Sequence, residues 1–297
     1  MSSASGPTPV RIAVLPVAGF GTRVLPATKT IPKEMLPVVD RPALQYVVDE
    51  AREAGIEHFV FVTGRNKGAI EDYFDRAYEL EYSLQSRGKS AIFDELQRTN
   101  PAPGTMSFVR QQSAQGLGHA VWCARDIVRG EPFAVLLPDV LVKADRSCLA
   151  QMMEAYRDVG GNVIAVDPVP SERVSSYGVI QPASGADPDA ALIRMDAMVE
   201  KPPVGHAPSN LKITGRYILQ PEIMDLLEDQ DPGAGGEIQL TDAMARLMDT
   251  QPFHAFRYRG EDYDCGSVLG YFEAVVAFAR DHKDIGEDAR ELLQRMG

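Results

Sequence analysis

Short apolar runs bounded by polar, glycine or proline positions recur through the first 170 or so residues. Arg11-Ile-Ala-Val-Leu15, His58-Phe-Val-Phe-Val-Thr63 and Phe133-Ala-Val-Leu-Leu137 are continuous rather than alternating, the pattern of strands buried on both faces. Met106 to Arg110 and Asn162 to Val166 read as further strands. Between them the spacing predicts helices over Pro42 to about Ala54, from about Gly118 through Arg125, and from about Ser147 to Val159, the first opening on a proline in its first turn. Strand and helix in alternation predict an α/β fold, a doubly wound, mostly parallel sheet with helices on both faces.

After about residue 168 the rhythm changes. Strands are expected over Tyr177–Gln181, Leu192–Val199, Leu211–Leu219 and Phe253–Arg259, separated by turns such as Pro182-Ala-Ser-Gly-Ala-Asp-Pro188. These predict a mixed sheet built onto the first, as the far wall of a cleft. Two helices, Val268 to Arg280 and Ile285 to Met296, are expected to close the chain. The stretch from about Asp75 to Gly104 interrupts the alternation; Tyr78-Glu-Leu-Glu-Tyr-Ser-Leu84 has helical spacing and predicts a helical insertion. The first ten residues are small and polar, and a disordered tail is expected there.

Composition narrows the functions open to such a chain. Thirty basic against 42 acidic residues give a net charge of −12, a field that disfavours nucleic acid and anionic membranes. The three cysteines, Cys123, Cys148 and Cys265, form no C-x-x-C pair, so neither a disulfide framework nor a zinc site is expected. No signal-like or membrane-length apolar segment occurs, and a cytoplasmic protein is expected.

Against that acidic background one cluster of cations stands out. Leu15-Pro-Val-Ala-Gly-Phe-Gly-Thr-Arg-Val-Leu-Pro-Ala-Thr-Lys-Thr-Ile-Pro-Lys-Glu-Met-Leu-Pro37 follows the first strand and holds Gly19, Gly21, Arg23, Lys29 and Lys33. Glycines let backbone N–H groups approach a ligand and cations suit phosphate, at the strand end where open α/β sheets bind ligands. A dinucleotide fingerprint would need glycine where Val24 stands, which counts against a nicotinamide-dependent oxidoreductase. A Walker loop would need Gly-Lys-Ser/Thr where Gly21-Thr-Arg23 stands.

Other stretches add chemistry. In Arg110-Gln-Gln-Ser-Ala-Gln-Gly-Leu-Gly-His-Ala120, a glutamine amide offers a donor and an acceptor for a base edge, and a helix-opening loop is the plain alternative. Asp139 ends Leu136-Leu-Pro-Asp139 at a strand terminus; beside Arg23 and Lys33 it favours a Mg²⁺ ligand over a simple cap. Met198-Val-Glu-Lys-Pro202 pairs an acceptor for sugar hydroxyls with a compact cation. Asp264, in Asp262-Tyr-Asp-Cys-Gly-Ser267, is a turn aspartate or a second metal ligand.

Ala18-Gly-Phe-Gly-Thr-Arg23 with Pro32-Lys-Glu-Met-Leu-Pro37 resembles the signature of the sugar-1-phosphate nucleotidyltransferases. Matching pieces continue through Gln115–Ala120, Leu137–Asp139, Tyr177–Val179, Val199–Pro202, Gly236–Asp242 and Tyr263–Ser267. The insertion near 75–104 is similar to the uridylyl branch rather than the thymidylyl one, and Phe20 stands where relatives are expected to carry leucine. The resemblance implies a Rossmann-like, nucleotide-diphospho-sugar transferase fold in a single domain over 11–297. Its parts would be a nucleotide-binding core at 11–168, a sugar-binding part at 169–265 and C-terminal helices at 266–297. It implies transfer of a uridylyl group from UTP to glucose 1-phosphate without a covalent intermediate. The same chemistry with dTTP and a non-catalytic sugar-nucleotide-binding paralogue are the alternatives. By the same resemblance, Ala18, Gly19, Gly21, Glu34, Gln111 and Gly116 would hold the nucleotide, with Glu34, Gln111 and Gly116 at the uracil. Arg23 and Lys33 would bind the triphosphate, Asp139 and Asp264 would bind Mg²⁺, and Gly178, Glu200 and Gly215 would hold the sugar. Lys201 would bind the sugar phosphate, in a homodimer or homotetramer.

Overall fold

The structure is a computed structural model that describes residues 6–296. Of the tail expected over 1–10, residues 1–5 lie outside the described residues. The rest is shorter than expected: the Tyr156 hydroxyl donates to the Thr8 carbonyl at 2.9 Å, and Val10 is buried in the core.

Thirteen strands follow one another among the described residues: β1 (Ile12–Pro16), β2 (Pro37–Val38), β3 (Arg41–Pro42), β4 (His58–Thr63), β5 (Met106–Arg110), β6 (Phe133–Leu136), β7 (Val140–Lys143), β8 (Asn162–Pro168), β9 (Gly178–Pro182), β10 (Leu192–Glu200), β11 (Leu211–Leu219), β12 (Phe253–Arg257) and β13 (Glu261–Asp264). The helices are α1 (Ala43–Glu53), α2 (Gly68–Tyr73), α3 (Tyr78–Ser86), α4 (Ser90–Thr99), α5 (Leu117–Trp122), α6 (Arg125–Val128), α7 (Cys148–Val159), α8 (Ile223–Glu228), α9 (Leu240–Leu247), α10 (Val268–Arg280) and α11 (Gly286–Met296). The insertion is two helices, α3 and α4, tied at one end by Glu81, which accepts from Arg76 at 2.5 Å and from Asn100 at 3.1 Å. Among the described residues no helix is long and apolar enough to cross a membrane.

Nine strands form one sheet in the order β5-β4-β1-β6-β11-β8-β12-β10-β9. β5, β4, β1 and β6 are mutually parallel, as their continuous apolar runs require. β11 then enters antiparallel between β6 and β8. The later strands therefore extend the first sheet without a break, and β8 pairs on both sides with strands that come after it. Every residue of β11 is buried, so only a central position suits it. Alternate residues of the strands face two cores. Leu15, Phe61 and Leu136 pack with Leu44, Val47, Leu149 and Met152 of α1 and α7, whereas Val14, Val62 and Val135 pack with Val121, Leu240 and Met244 of α5 and α9.

The register of β11 against β8 shifts between Ile213 and Tyr217, where Gly215 takes a left-handed φ of 79°. An ideal Cβ there would lie 2.8 Å from Leu137 Cδ1, so glycine is required by both conformation and space. The bulge turns Arg216 into the protein. Its guanidinium is fully buried and meets five acceptors with its five N–H groups. It reaches Glu50 Oε1 and Oε2 at 3.0 and 2.9 Å, and the carbonyls of Leu137, Gly215 and Val140 at 3.1, 3.3 and 2.7 Å. Two of those carbonyls flank Asp139. Arg216→Met leaves Glu50 buried without its partner and is expected to cost about 3–5 kcal/mol of stability. Equilibrium urea unfolding measures that loss, and a change below about 1 kcal/mol would contradict the arrangement.

Candidate active site

The carboxyl ends of β1, β4, β5 and β6 lie side by side, and the loops that leave them carry the candidate residues. After β6, the turn Leu137-Pro-Asp-Val140 leads into β7, which pairs antiparallel with β13 so that Val140 faces Asp264. Cys265 N donates to the Asp139 carbonyl at 2.8 Å. This short ribbon brings together two aspartates that are far apart in the chain. An ideal Cβ on Gly266 would sit 2.9 Å from Asp139 Oδ2 and 2.8 Å from Asp264 Oδ1, so the two carboxylates converge on a residue with no side chain. Arg23 reaches both, at 3.7 Å to Asp139 and 3.5 Å to Asp264, and Lys33 Nζ lies 2.5 Å from Asp139 Oδ2. Burial disfavours both charges of the Lys33–Asp139 pair. Their mutual attraction outweighs it, so the lysine titrates above its ordinary value and the aspartate below. The neighbouring Cys265 thiol is pushed up to about 12 by burial and by the two aspartates, so it stays protonated near neutral pH.

The loop after β1 is three single 3₁₀ turns, Thr22–Val24, Ala27–Lys29 and Lys33–Met35. Gly21 opens the first with a left-handed φ of 67°, and Thr28 Oγ1 donates to its carbonyl at 2.7 Å. Gly19 faces the Lys33 side chain, 3.8 Å from an ideal Cβ to Cε, while Ala18 packs on Gly64 at the end of β4. Phe20 is 74% exposed at the rim. Glu34, the residue expected at a base, is 1% exposed. Its side chain is buried beneath the loop and accepts from Lys67 Nζ at 2.9 Å, because a carboxylate there needs a cation. Burial raises its pKa, against the lowering effects of Lys67 and Lys33.

After β5, Gln111 Nε2 donates to the Gly116 carbonyl at 3.0 Å and lies 3.0 Å from His119 Nδ1. Gly116 and Gly118 have a local cause. Ile238 N donates to the Gln115 carbonyl at 2.7 Å, Gly118 N donates to the Ile238 carbonyl at 2.8 Å, and a Cβ on either glycine would lie 2.8 Å from that same carbonyl oxygen. The residues before α9 thus lie flat against this loop.

On the far side, Glu200 at the end of β10 faces Gly178 across the β9 pairing. Glu200 Oε2 accepts from Thr241 Oγ1 at 2.8 Å, and a Cβ on Gly178 would lie 3.1 Å from that oxygen. Lys201 takes a positive φ of 46°, its N–H held by the Tyr177 carbonyl at 3.0 Å; its ammonium is 3.5 Å from Glu200 and more than half exposed. Tyr217 is buried on β11. Burial raises its pKa, and both Glu200 and Asp139 act on it in the same direction. The structure therefore gathers Arg23, Lys33, Asp139 and Asp264 into one cluster and Gly178, Glu200 and Lys201 into another, with Gln111 and Gly116 on a third loop. Gly215 lies under the first cluster, against Leu137.

A nucleotidyl transferase family model matches residues 12–281, a span that holds all three groups of residues. The chain belongs to the nucleotidyl transferase family. Among relatives of this family, a UTP–glucose-1-phosphate uridylyltransferase of Komagataeibacter xylinus is 50% identical over 261 residues, which cover 88% of this chain and 91% of that protein. The structure of a UTP-bound UDP-glucose pyrophosphorylase from Acinetobacter baumannii superposes with a TM-score of 0.89 at 46% identity, covering 97% of this chain and all of that one. A UDP-glucose pyrophosphorylase complexed with UDP-glucose gives a TM-score of 0.81 at 41% identity, over 92% of this chain and all of that one.

Several members of this nucleotidyl transferase site escaped the sequence reading. Lys67, Thr241, His119 and the Arg216–Glu50 pair each act on an expected residue. Arg216 had a signal, since it and Lys212 are the two charges inside the strand Leu211–Leu219. Thr241 and His119 lie within the matched stretches but carry no charge to draw attention. Gly116→Ala is expected to push residues 237–238 away and lower stability by about 1–3 kcal/mol, the range for overpacked sites. Thermal unfolding beside the parent chain checks this, and an unchanged melting temperature would refute the close approach.

Proposed function

We propose that the chain is a UTP–glucose-1-phosphate uridylyltransferase, joining UTP and glucose 1-phosphate into UDP-glucose with release of pyrophosphate. The observation that carries this reading is the presence of two separate cation sites, one on the loop after β1 and one at the end of β10. Arg23 and Lys33 stand on the loop side and Lys201 on the other, each paired with a carboxylate. Two anionic substrates need two such sites. The names and ligands of the relatives support the same assignment.

In this reading a phosphate oxygen of glucose 1-phosphate attacks the α-phosphorus of UTP in line, and pyrophosphate leaves. The second pKa of a phosphomonoester is about 6, so the nucleophile is largely ionised at neutral pH and needs no base from the protein. The Cys265 thiol, held protonated, is no rival nucleophile. The work left to the protein is to bring two anions together and to stabilise the charge that moves onto the leaving group. The triphosphate would compete with Asp139 for Lys33 and draw in the exposed Arg23. Lys201, on a backbone pinned at its N–H, would hold the sugar phosphate. Glu200, oriented by Thr241, would accept from glucose hydroxyls, with Gly178 and Gly215 leaving room for the ring. The backbone of Ala18, Gly19 and Gly21 would line the nucleotide, with Gln111 and Gly116 at the base and Glu34 holding the loop from beneath.

Asp139 and Asp264 fit Mg²⁺: two hard oxygen donors converge beside Gly266, and Mg²⁺ takes one or two protein carboxylates with phosphate oxygens and waters. Bound there, the ion would neutralise phosphate charge at the point of transfer. Self-association through the exposed Val268, Leu269 and Phe272 of α10 agrees with the homo-oligomer that the resemblance implies.

The test is pyrophosphate release with glucose 1-phosphate, Mg²⁺ and each of UTP, dTTP, CTP and ATP. UTP is expected to be fastest. A thymine methyl is worth only about 1–3 kcal/mol in a pocket, so dTTP is the substitute to watch. No release with any nucleotide would sink the assignment and favour a non-catalytic binder. Asp139→Asn and Lys201→Ala are each expected to lower kcat by roughly 100-fold or more, the scale of one preorganised charge. Turnover near that of the parent at saturating substrate would remove that residue from the mechanism.

A further inference from the structure

The loop after β5 decides which atom of the Gln111 amide is left for a ligand. Gln111 Nε2 faces the Gly116 carbonyl oxygen at 3.0 Å. A carbonyl oxygen only accepts, so the group facing it is the amide NH₂, by chemistry rather than by drawing convention. Its second N–H is directed at His119 Nδ1, also at 3.0 Å. That ring nitrogen must therefore carry the lone pair, with the imidazole proton on Nε2. The ring is fixed as well: it stacks on Trp122 with centroids 5.7 Å apart, and the Arg125 guanidinium lies 3.6 Å from the Trp122 ring centroid. Burial and Arg125 hold the His119 pKa below its ordinary value, which keeps the ring neutral.

Both amide donors are thus consumed inside the loop, and no protein donor meets Gln111 Oε1 among the described residues. We propose that His119 is a specificity-determining positioning residue: by accepting the second amide proton of Gln111, it leaves that side chain with only an acceptor to offer. An acceptor selects a pyrimidine with an N–H at ring position 3, as in uracil or thymine. It repels cytosine, whose ring nitrogen there carries a lone pair. The selection resides in His119 as much as in Gln111, since an amide free to flip could present its oxygen to uracil or its NH₂ to cytosine. This inference rests on the reading of Gln111 as the residue that meets the base.

The experiment compares kcat and KM for UTP and CTP in the parent chain, Gln111→Leu, His119→Phe and His119→Asn, with melting temperatures measured alongside. Phenylalanine keeps a ring against Trp122 but loses the acceptor; asparagine can present Oδ1 near the place of Nδ1. His119→Phe is expected to lower the UTP-to-CTP ratio of kcat/KM by roughly tenfold or more, mostly through KM, the scale of one hydrogen bond in a selective site. His119→Asn is expected to restore most of that ratio. An unchanged ratio in His119→Phe, with the ratio collapsed in Gln111→Leu, overturns the inference and leaves the base contact standing. If Gln111→Leu changes neither KM nor ratio, the base reading itself falls, and the inference with it. Should His119→Phe melt early, His119→Leu is read against the same two outcomes.

Discussion

Everything at the candidate site hangs on one buried ion pair. Arg216 and Glu50 lie on different elements, 166 residues apart, and meet through two buried hydrogen bonds. A pair like this gains little over a well-packed apolar pair, because both charges had to leave water. What it provides is placement. Besides Glu50, the guanidinium ties down the carbonyls of Leu137 and Val140, so the turn that presents Asp139 is fastened from beneath. Glu50 is itself anchored, since its Oε1 accepts from Leu149 N at 3.1 Å at the start of α7. The strand bulge at Gly215 exists to let Arg216 reach this position, and the left-handed glycine is its local cost.

Built on that base, the site is assembled by backbone pairings and only finished by side chains. The β7–β13 ribbon sets the two aspartates beside each other, the β9–β10 register sets Gly178 against Glu200, and the 115–118 loop is laminated to Ile238. In each case a glycine stands where a Cβ would part the two segments. Rigid backbone contacts of this kind hold charged groups at fixed separations, which is the requirement for electrostatic catalysis. The exposed ends of Arg23 and Lys201 are the exceptions. They are the groups that must move to take hold of an anion.

The strands were legible because runs rich in β-branched and apolar residues are bounded by glycine, proline or polar positions. β4, β5 and β11 begin and end where the pattern places them. The place of β11 in the sheet was not legible, since pairing order depends on partners distant in sequence. The ribbons β2–β3 and β7–β13 were invisible for a different reason, being two to four residues long and only partly buried. Among site residues, the Asp139 and Lys33 cluster followed from residue type and position. For Glu34 the buried partner Lys67 was not legible, since the two lie 33 residues apart in the chain. Gly116 was expected at a base, and the lamination of the 237–238 backbone against it was not legible, since it joins segments more than a hundred residues apart.

The order of the strands in the sheet carries a consequence for how the molecule is made. β12 is the last strand of the main sheet in sequence, yet it sits between β8 and β10 rather than at an edge. Until residue 257 has emerged, a growing chain therefore lacks the strand that joins β8 to β10, and β9 meets the rest of the sheet through its pairing with β11, where Lys212 faces Val179. The carboxylate of Asp264 and the gap at Gly266 arrive later still. The phosphate loop, made first, waits for almost the entire chain before it faces a complete partner surface.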